Sequence, residues 1–250
     1  MSMKYLGKRK PTTWKPRSNP LTMMRAKART SAFRMTPRAP LSTRGWRPFI
    51  STNHELKVQD LASATYQVNT TGSITLLAVP ITGADYNARI GRKVTLKSCF
   101  IRGYLRIEPG AATVGVAQAQ QCRFMLVLDL QPNGAVFAIT DLLNTADPTS
   151  QLNLNNRDRF RVLQDQEIAF DHFNYVTTAT QTSEAFGRTI QSFKKYKRLN
   201  CEMIFNAVNG GTIADIASGA LYMVWIGSNA AGANTDANAV LSTRVRYSDS

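Results

Sequence analysis

Few residues in this chain belong to types that make and break bonds, and their spacing argues against such a role. His54 and His172 are the only two histidines in 250 residues. With only these two, a histidine-based nucleophile or a zinc set has little to draw on. Cys99, Cys122 and Cys201 are widely separated, each inside an apolar run, and no C-x-x-C pair exists. Such cysteines read as buried free thiols in a reducing compartment. Asp165, Glu167 and Asp171 gather in one segment. Three carboxylates there suit a calcium ion or an acid/base pair. The plainer reading is a solvated strand end paired with Arg157, Arg159 or Arg161 of the same segment. "GRKVT" at 91–95 lacks the upstream glycine spacing of a phosphate loop. No catalytic residue, metal site or cofactor is assigned, and no enzyme is expected.

The chemistry that is present is cationic. The formal charge is +15, and it is unevenly placed. Lys4, Lys8, Arg9, Lys10, Lys15, Arg17, Arg25, Lys27, Arg29, Arg34, Arg38, Arg44 and Arg47 lie in the first 50 residues, which contain no acid before Glu55. The other 200 residues share 18 cations with all 16 acids. Arginine holds phosphate by paired hydrogen bonds and lysine as a point charge. These thirteen residues are therefore the candidate nucleic-acid-binding set. Trp14 is a further candidate, since an aromatic among cations can stack on a base, as can Tyr5. Trp46, close to the first strand, reads instead as packing on the body. Lys8, Arg9, Lys10, Lys15 and Arg17 also suit a nuclear localisation signal.

Two basic patches lie further on. Arg157, Arg159 and Arg161 alternate, so on a strand they share one face. "KKYKR" supplies Lys194, Lys195, Lys197 and Arg198. Either patch extends a nucleic-acid surface, or is a solvated face or an intersubunit ion pair.

The positioning elements divide the chain in two. Residues 1–48 carry six of the ten prolines, which interrupt regular structure. Like charges there repel, so this basic arm is predicted to stay disordered until a polyanion neutralises it. It is also Arg-rich and acid-poor in the manner of a transit peptide, but lacks a sustained amphipathic pattern. No run approaches the roughly 18 apolar residues of a membrane span, so no membrane insertion is expected.

Residues 49–250 read as β-rich. Strands are predicted around 54–60, 73–79, 92–108, 121–130, 157–170, 194–206, 220–227 and 240–249. In "QCRFMLVLDL" (121–130), Cys122, Phe124, Leu126, Leu128 and Leu130 share one face and Met125 and Val127 the other. "ALYMVWIG" (220–227) is apolar on both faces, as a central strand is. Short helices are predicted at 137–144 and 183–193. About eight strands with almost no helix give an all-β sandwich or barrel. Pattern alone leaves a two-sheet jelly roll and an immunoglobulin-like sandwich both open.

The order of motifs narrows this. "RIGRKVTLKSCFIRGYL" (89–105), "CRFMLVLDLQPNG" (122–134), "LNNRDRFRVLQDQEIAF" (154–170) and "KKYKRLNCEMIFN…ALYMVWIGSN…STRVRYSD" together resemble the coat proteins of geminiviruses and related circular single-stranded DNA viruses that encode a replication initiator. The arm matches in character only. The resemblance implies a single eight-stranded antiparallel jelly roll. It implies self-assembly into a small icosahedral (T=1) virion shell of about 60 copies. It also implies that the arm faces the lumen and packages single-stranded DNA, with RNA possible. A host nuclear import receptor is a further implied partner, with assembly in the host nucleus. The Cys/His elements that those coat proteins carry near the start of the body are missing, since no cysteine precedes Cys99. The alternative is a non-assembling nuclear shuttle protein with a coat-protein-like fold.

Overall fold

In "ALYMVWIG" all eight residues are buried, so this segment must sit between two covers with a strand on each side. A computed structural model places it there. It describes residues 56–107, 120–170, 172–176, 183–187, 190–231 and 237–249. The boundary at residue 48 and the arm before it lie outside the described residues.

The strands are β1 (Leu56–Val68), β2 (Ser73–Leu76), β3 (Lys93–Ile107), β4 (Gln120–Asp129), β5 (Phe160–Phe170), β6 (His172–Val176), β7 (Ser183–Gly187), β8 (Ile190–Phe205), β9 (Ile216–Ser218), β10 (Ala220–Gly227) and β11 (Ala237–Asp249). They form one sheet in the order β1-β11-β3-β8-β9, a second in the order β2-β10-β4-β5, and a separate β6-β7 hairpin. Every pairing of these strands is antiparallel. Short β9 extends one edge and the hairpin stands apart. The remaining eight strands make two four-stranded sheets, each drawing on both ends of the chain. That interleaving is a jelly roll, as the motif order implied.

Alternation decides what each sheet buries. Phe124 of β4 and Trp225 of β10 are register partners, and both meet Phe193 of β8 in the opposite sheet. The three ring centres lie 4.9–5.1 Å apart. Such edge and tilted contacts add about 0.5–1.5 kcal/mol per pair beyond area burial. The other face of the second sheet, with Tyr222 opposite Val127, is roofed by the chain after β4. There Phe137 packs on Tyr222 and Phe160, at 5.1 and 4.6 Å between ring centres. A single helical turn, α1 (Ile139–Leu142), buries Ile139 and Leu142 nearby. The second sheet is thus covered on both sides. Gly103 of β3 explains a glycine inside a strand: a methyl there would strike the Val240 carbonyl of the neighbouring β11.

Four expectations are corrected. The helix predicted at 183–193 is not found in the described residues there: 183–187 pair with β6, and Ile190 onward pairs with β3. Strand pairing, with adjacent β6 and with distant β3, outweighed the helical pattern there. Leu130 lies past the end of β4 and is exposed rather than inward. Arg157, Arg159 and Arg161 do not share a strand face, because β5 begins only at Phe160. Asp165 does not pair with an arginine of its own segment but with Arg123 of β4.

Candidate nucleic-acid interface

Among the described residues, no element packs over the outer face of the first sheet. Three long strands, β3, β8 and β11, alternate so that their inner residues are core, while their outer positions include exposed cations and rings beside buried Ser98 and Asn238. On β11, Leu241, Thr243, Val245 and Tyr247 are buried while Arg244 and Arg246 are exposed. The register then lines up outward side chains in rows across the sheet. One row runs Asp60, Arg244, Phe100, Tyr196. The next on one side runs Val58, Arg246, Ser98, Arg198. On the other side Ser242, Arg102 and Lys194 follow one another, and beyond them Tyr104 lies opposite Ser192. A groove of about 340 Å³ lies over this face, lined in part by Asp60, Phe100, Arg102, Ser242 and Arg244.

Five cations thus surround three aromatic rings. Tyr196 is 61% exposed and Tyr104 37%. Lys194 stands 5.9 Å from the Phe100 ring centre, a weak cation–π contact. Asp60 is spent on Arg244, whose guanidinium donates twice to its carboxylate at 2.7 and 2.6 Å. Those bonds hold the Asp60 carboxyl below its usual range. Among the described residues, no acid pairs with Arg102, Lys194, Arg198 or Arg246.

The "KKYKR" patch therefore splits. Lys194 and Arg198 belong to the open face. Lys195 and Lys197 lie opposite Ile101 and Cys99, whose side chains are core, and are themselves half-buried at the edge of the sandwich. Beyond the short β9, the edge of β8 has no partner strand among the described residues. Inward lysines on such an edge discourage another strand from adding to it. The other patch disperses. Arg157 is exposed in a turn beside Asp158, at 3.7 Å. Arg161 is exposed on β5. Arg159 donates to both carboxylate oxygens of fully buried Asp129, at 3.1 and 2.9 Å. The thirteen arm cations and Trp14 lie outside the described residues.

Three more cations are structural. Arg89, buried, donates to the carbonyls of Pro80, Gly91 and Val208 at 3.2, 2.9 and 2.7 Å and lies over the Phe205 ring. Arg123 grips Asp165 with two bonds and the carbonyls of Pro148 and Ser150 with another nitrogen. Lys57 bridges Asp249 at 2.9 Å and the Ala88 carbonyl at 2.7 Å. Sequence reading missed the open face because its parts come from three strands far apart in the chain. The signal was the recurrence of arginine at the polar positions of β3 and β11.

Nothing in the described residues gathers metal ligands: no three His, Cys, Asp or Glu side chains converge there. With Asp165 held by Arg123 and Glu167 taking a bond from Gln121 at 3.2 Å, the acid segment is committed. Asp171 lies outside the described residues. The three thiols are free and buried. Asn69, in an Asn-Thr-Thr sequence, is buried and accepts the Thr71 and Gly72 amides at 3.0 and 3.2 Å, so its side chain closes a turn. No helix among the described residues is long and apolar enough to cross a membrane.

A family model of the geminivirus coat protein/nuclear export factor BR1 family matches residues 7–250. The chain belongs to that family. Its match thus takes in most of the basic arm as well as the whole body. Among curated relatives, the capsid protein of Miscanthus streak virus (isolate 91) is 26% identical over 123 residues, 46% of this chain and 48% of that one. The coat protein of Maize white line mosaic Satellite virus is 32% identical over 102 residues, 40% of this chain and 44% of the relative. The chain thus spans about half the length of the curated relatives it matches. Of solved structures, the 60-mer BFDV capsid protein aligns over 78% of this chain and 93% of its own, at 9% identity and a TM-score of 0.29. At that score the fold assignment rests on the strand order itself.

Proposed function

We propose that this chain is a viral coat protein whose copies assemble into a small closed shell around single-stranded DNA. The family match over residues 7–250 carries the reading, and both curated relatives bear the name of capsid or coat protein. The body, almost neutral, suits tiling. The shell is icosahedral, of about 60 copies with T=1 symmetry. The arm, residues 1–48, lies in the lumen and neutralises the packaged strand through its thirteen cations. Lys8, Arg9, Lys10, Lys15 and Arg17 serve both that purpose and import into the host nucleus by an import receptor. An RNA cargo would meet the same phosphate chemistry.

The arm's role is tested by nuclease protection. Full-length protein mixed with circular single-stranded DNA is expected to shield it from digestion. Replacing Lys8, Arg9, Lys10, Lys15 and Arg17 by Gln should flatten the log–log salt dependence of binding by about 0.7 for each phosphate no longer neutralised. Unprotected DNA, or an unchanged slope, would contradict the reading. The family's name also covers nuclear export factors. The second reading is therefore a shuttle protein that binds the strand without closing around it.

A further inference from the structure

We infer that a pocket at the edge of the sandwich binds a neutral oligosaccharide. It lies where β1 ends the first sheet and β2 ends the second. The inference goes beyond the coat-protein reading and does not depend on it.

The pocket holds about 720 Å³, inside the range of about 300–1,000 Å³ usual for small-molecule sites. Gln67 of β1 and Asn238 of β11 line it as register partners. Thr65, Tyr66, Thr71 and Ser73 add hydroxyl groups. Asn238 is the informative residue. It is only 8% exposed, although it sits at an outer position of its strand. A buried amide nearly always has hydrogen-bond partners. Among the described residues the Asn238 side chain has none, and it lines the pocket. A donor and an acceptor are thus held at the wall for whatever enters.

The turn that carries Thr71 is fixed in advance. Asn69 Oδ1 accepts the Thr71 and Gly72 amides. The Thr70 amide donates to the Asn229 carbonyl at 2.9 Å, and the Gly227 amide to the Asn69 carbonyl at 3.0 Å. Gly72 has a φ of +75°, and a methyl there would strike the Ile139 side chain. A site formed before its ligand arrives loses little freedom on binding.

Chemistry selects the occupant. No charged side chain among the described residues lines the pocket, in a chain of net charge +15. A phosphate, sulfate or carboxylate meets no counter-charge there. A hydrocarbon would leave the amides and hydroxyls unpaired. Those groups both donate and accept, as the hydroxyls of a sugar do. Tyr66 packs partly against the core, and burial holds its phenol above the usual range, so it stays neutral. It supplies an apolar ring and a hydroxyl together, matching the C–H and O–H groups of a sugar ring.

The test applies the full-length chain to an array of short neutral oligosaccharides, with sulfated and phosphorylated glycans alongside. Retention on a neutral structure is expected, competed by the same sugar free in solution. Titration with that sugar then compares variants. Gln67→Ala should bind about three- to tenfold more weakly, the loss of one hydrogen bond. Asn238→Ala should lose at least as much. Thr65→Trp fills the pocket from an exposed position and should abolish binding. Gln67 is exposed too, so these two variants decide the matter even where Asn238→Ala fails to fold. Failure to retain any neutral sugar, or unchanged binding by Thr65→Trp, would overturn the site. Retention of sulfated or phosphorylated glycans alone would assign binding to the cations and equally overturn it. Each of those failures leaves the coat-protein reading standing, and a chain that never assembles would leave the sugar site standing.

Discussion

Arg102 and Lys194 stand directly opposite one another across the β3–β8 pair, on the exposed side of the sheet. Two like charges in that position repel by a few tenths to about 1 kcal/mol relative to a neutral pair. No acid among the described residues relieves them. A fold selected for stability alone would place an acid at one of the two positions. Lys194→Glu is therefore expected to raise the unfolding midpoint in urea slightly and to weaken binding to single-stranded DNA. A variant that lost stability would contradict this.

The Arg159–Asp129 pair predicts the opposite sign. Asp129 is 0% exposed, and its carboxylate also accepts the Gln131 amide at 2.9 Å. Removing Arg159 leaves a buried charge without its main partner, so Arg159→Ala should cost about 3–5 kcal/mol. Arg161→Ala, two residues on and exposed, should stay within about 0.5 kcal/mol. Equilibrium urea unfolding of the two variants separates them, and equal losses would refute the assignment of Arg159 as structural.

Arg89 is expected to tolerate no conservative change. Its guanidinium reaches three carbonyls on separate segments, those of Pro80, Gly91 and Val208. A lysine ammonium is a single point on a flexible stem and cannot span that fork. Arg89→Lys should lose about 2–4 kcal/mol, since buried carbonyls are left without donors. Denaturation that matches the parent would show that the loops before β3 and after β8 hold their places unaided.

Burial pushes the thiols of Cys99 and Cys122 up to about 12. An unfolded thiol titrates near 8.5. The folded state therefore binds these protons more tightly. Their contribution is complete below about pH 8.5 and is lost as pH rises toward 12, at about 1.4 kcal/mol per pH unit for each thiol. Both thiols should resist iodoacetamide at pH 8 in the folded protein and react promptly in urea. Rapid modification without denaturant would contradict their burial.

The fold was legible where alternation was strict. Leu241, Thr243, Val245 and Tyr247 announced an inner face and Arg244 and Arg246 an outer one, and β11 follows that pattern. The two-faced apolar run of β10 announced its central place. Strand pairing decides 183–187 and 190–193, the first with the adjacent strand His172–Val176 and the second with distant β3, and the helical pattern of the segment showed neither. The basic residues were visible as charges but not as partners. Nothing local marks Arg159 for Asp129 or Arg123 for Asp165, since cross-strand register decides both. The open face was hidden for the same reason. Arg102, Tyr196 and Arg246 become neighbours only once β11, β3 and β8 are laid side by side.

Assembly is the central claim, and solution mass tests it most directly. Full-length protein, a chain of 27.7 kDa, would be measured by light scattering at neutral pH and moderate salt, with and without single-stranded DNA. A shell of about 60 copies should weigh about 1.7 MDa before cargo, and more once nuclease-protected DNA is enclosed. A monodisperse species of one or two chains under both conditions would contradict the coat-protein account and favour the shuttle reading.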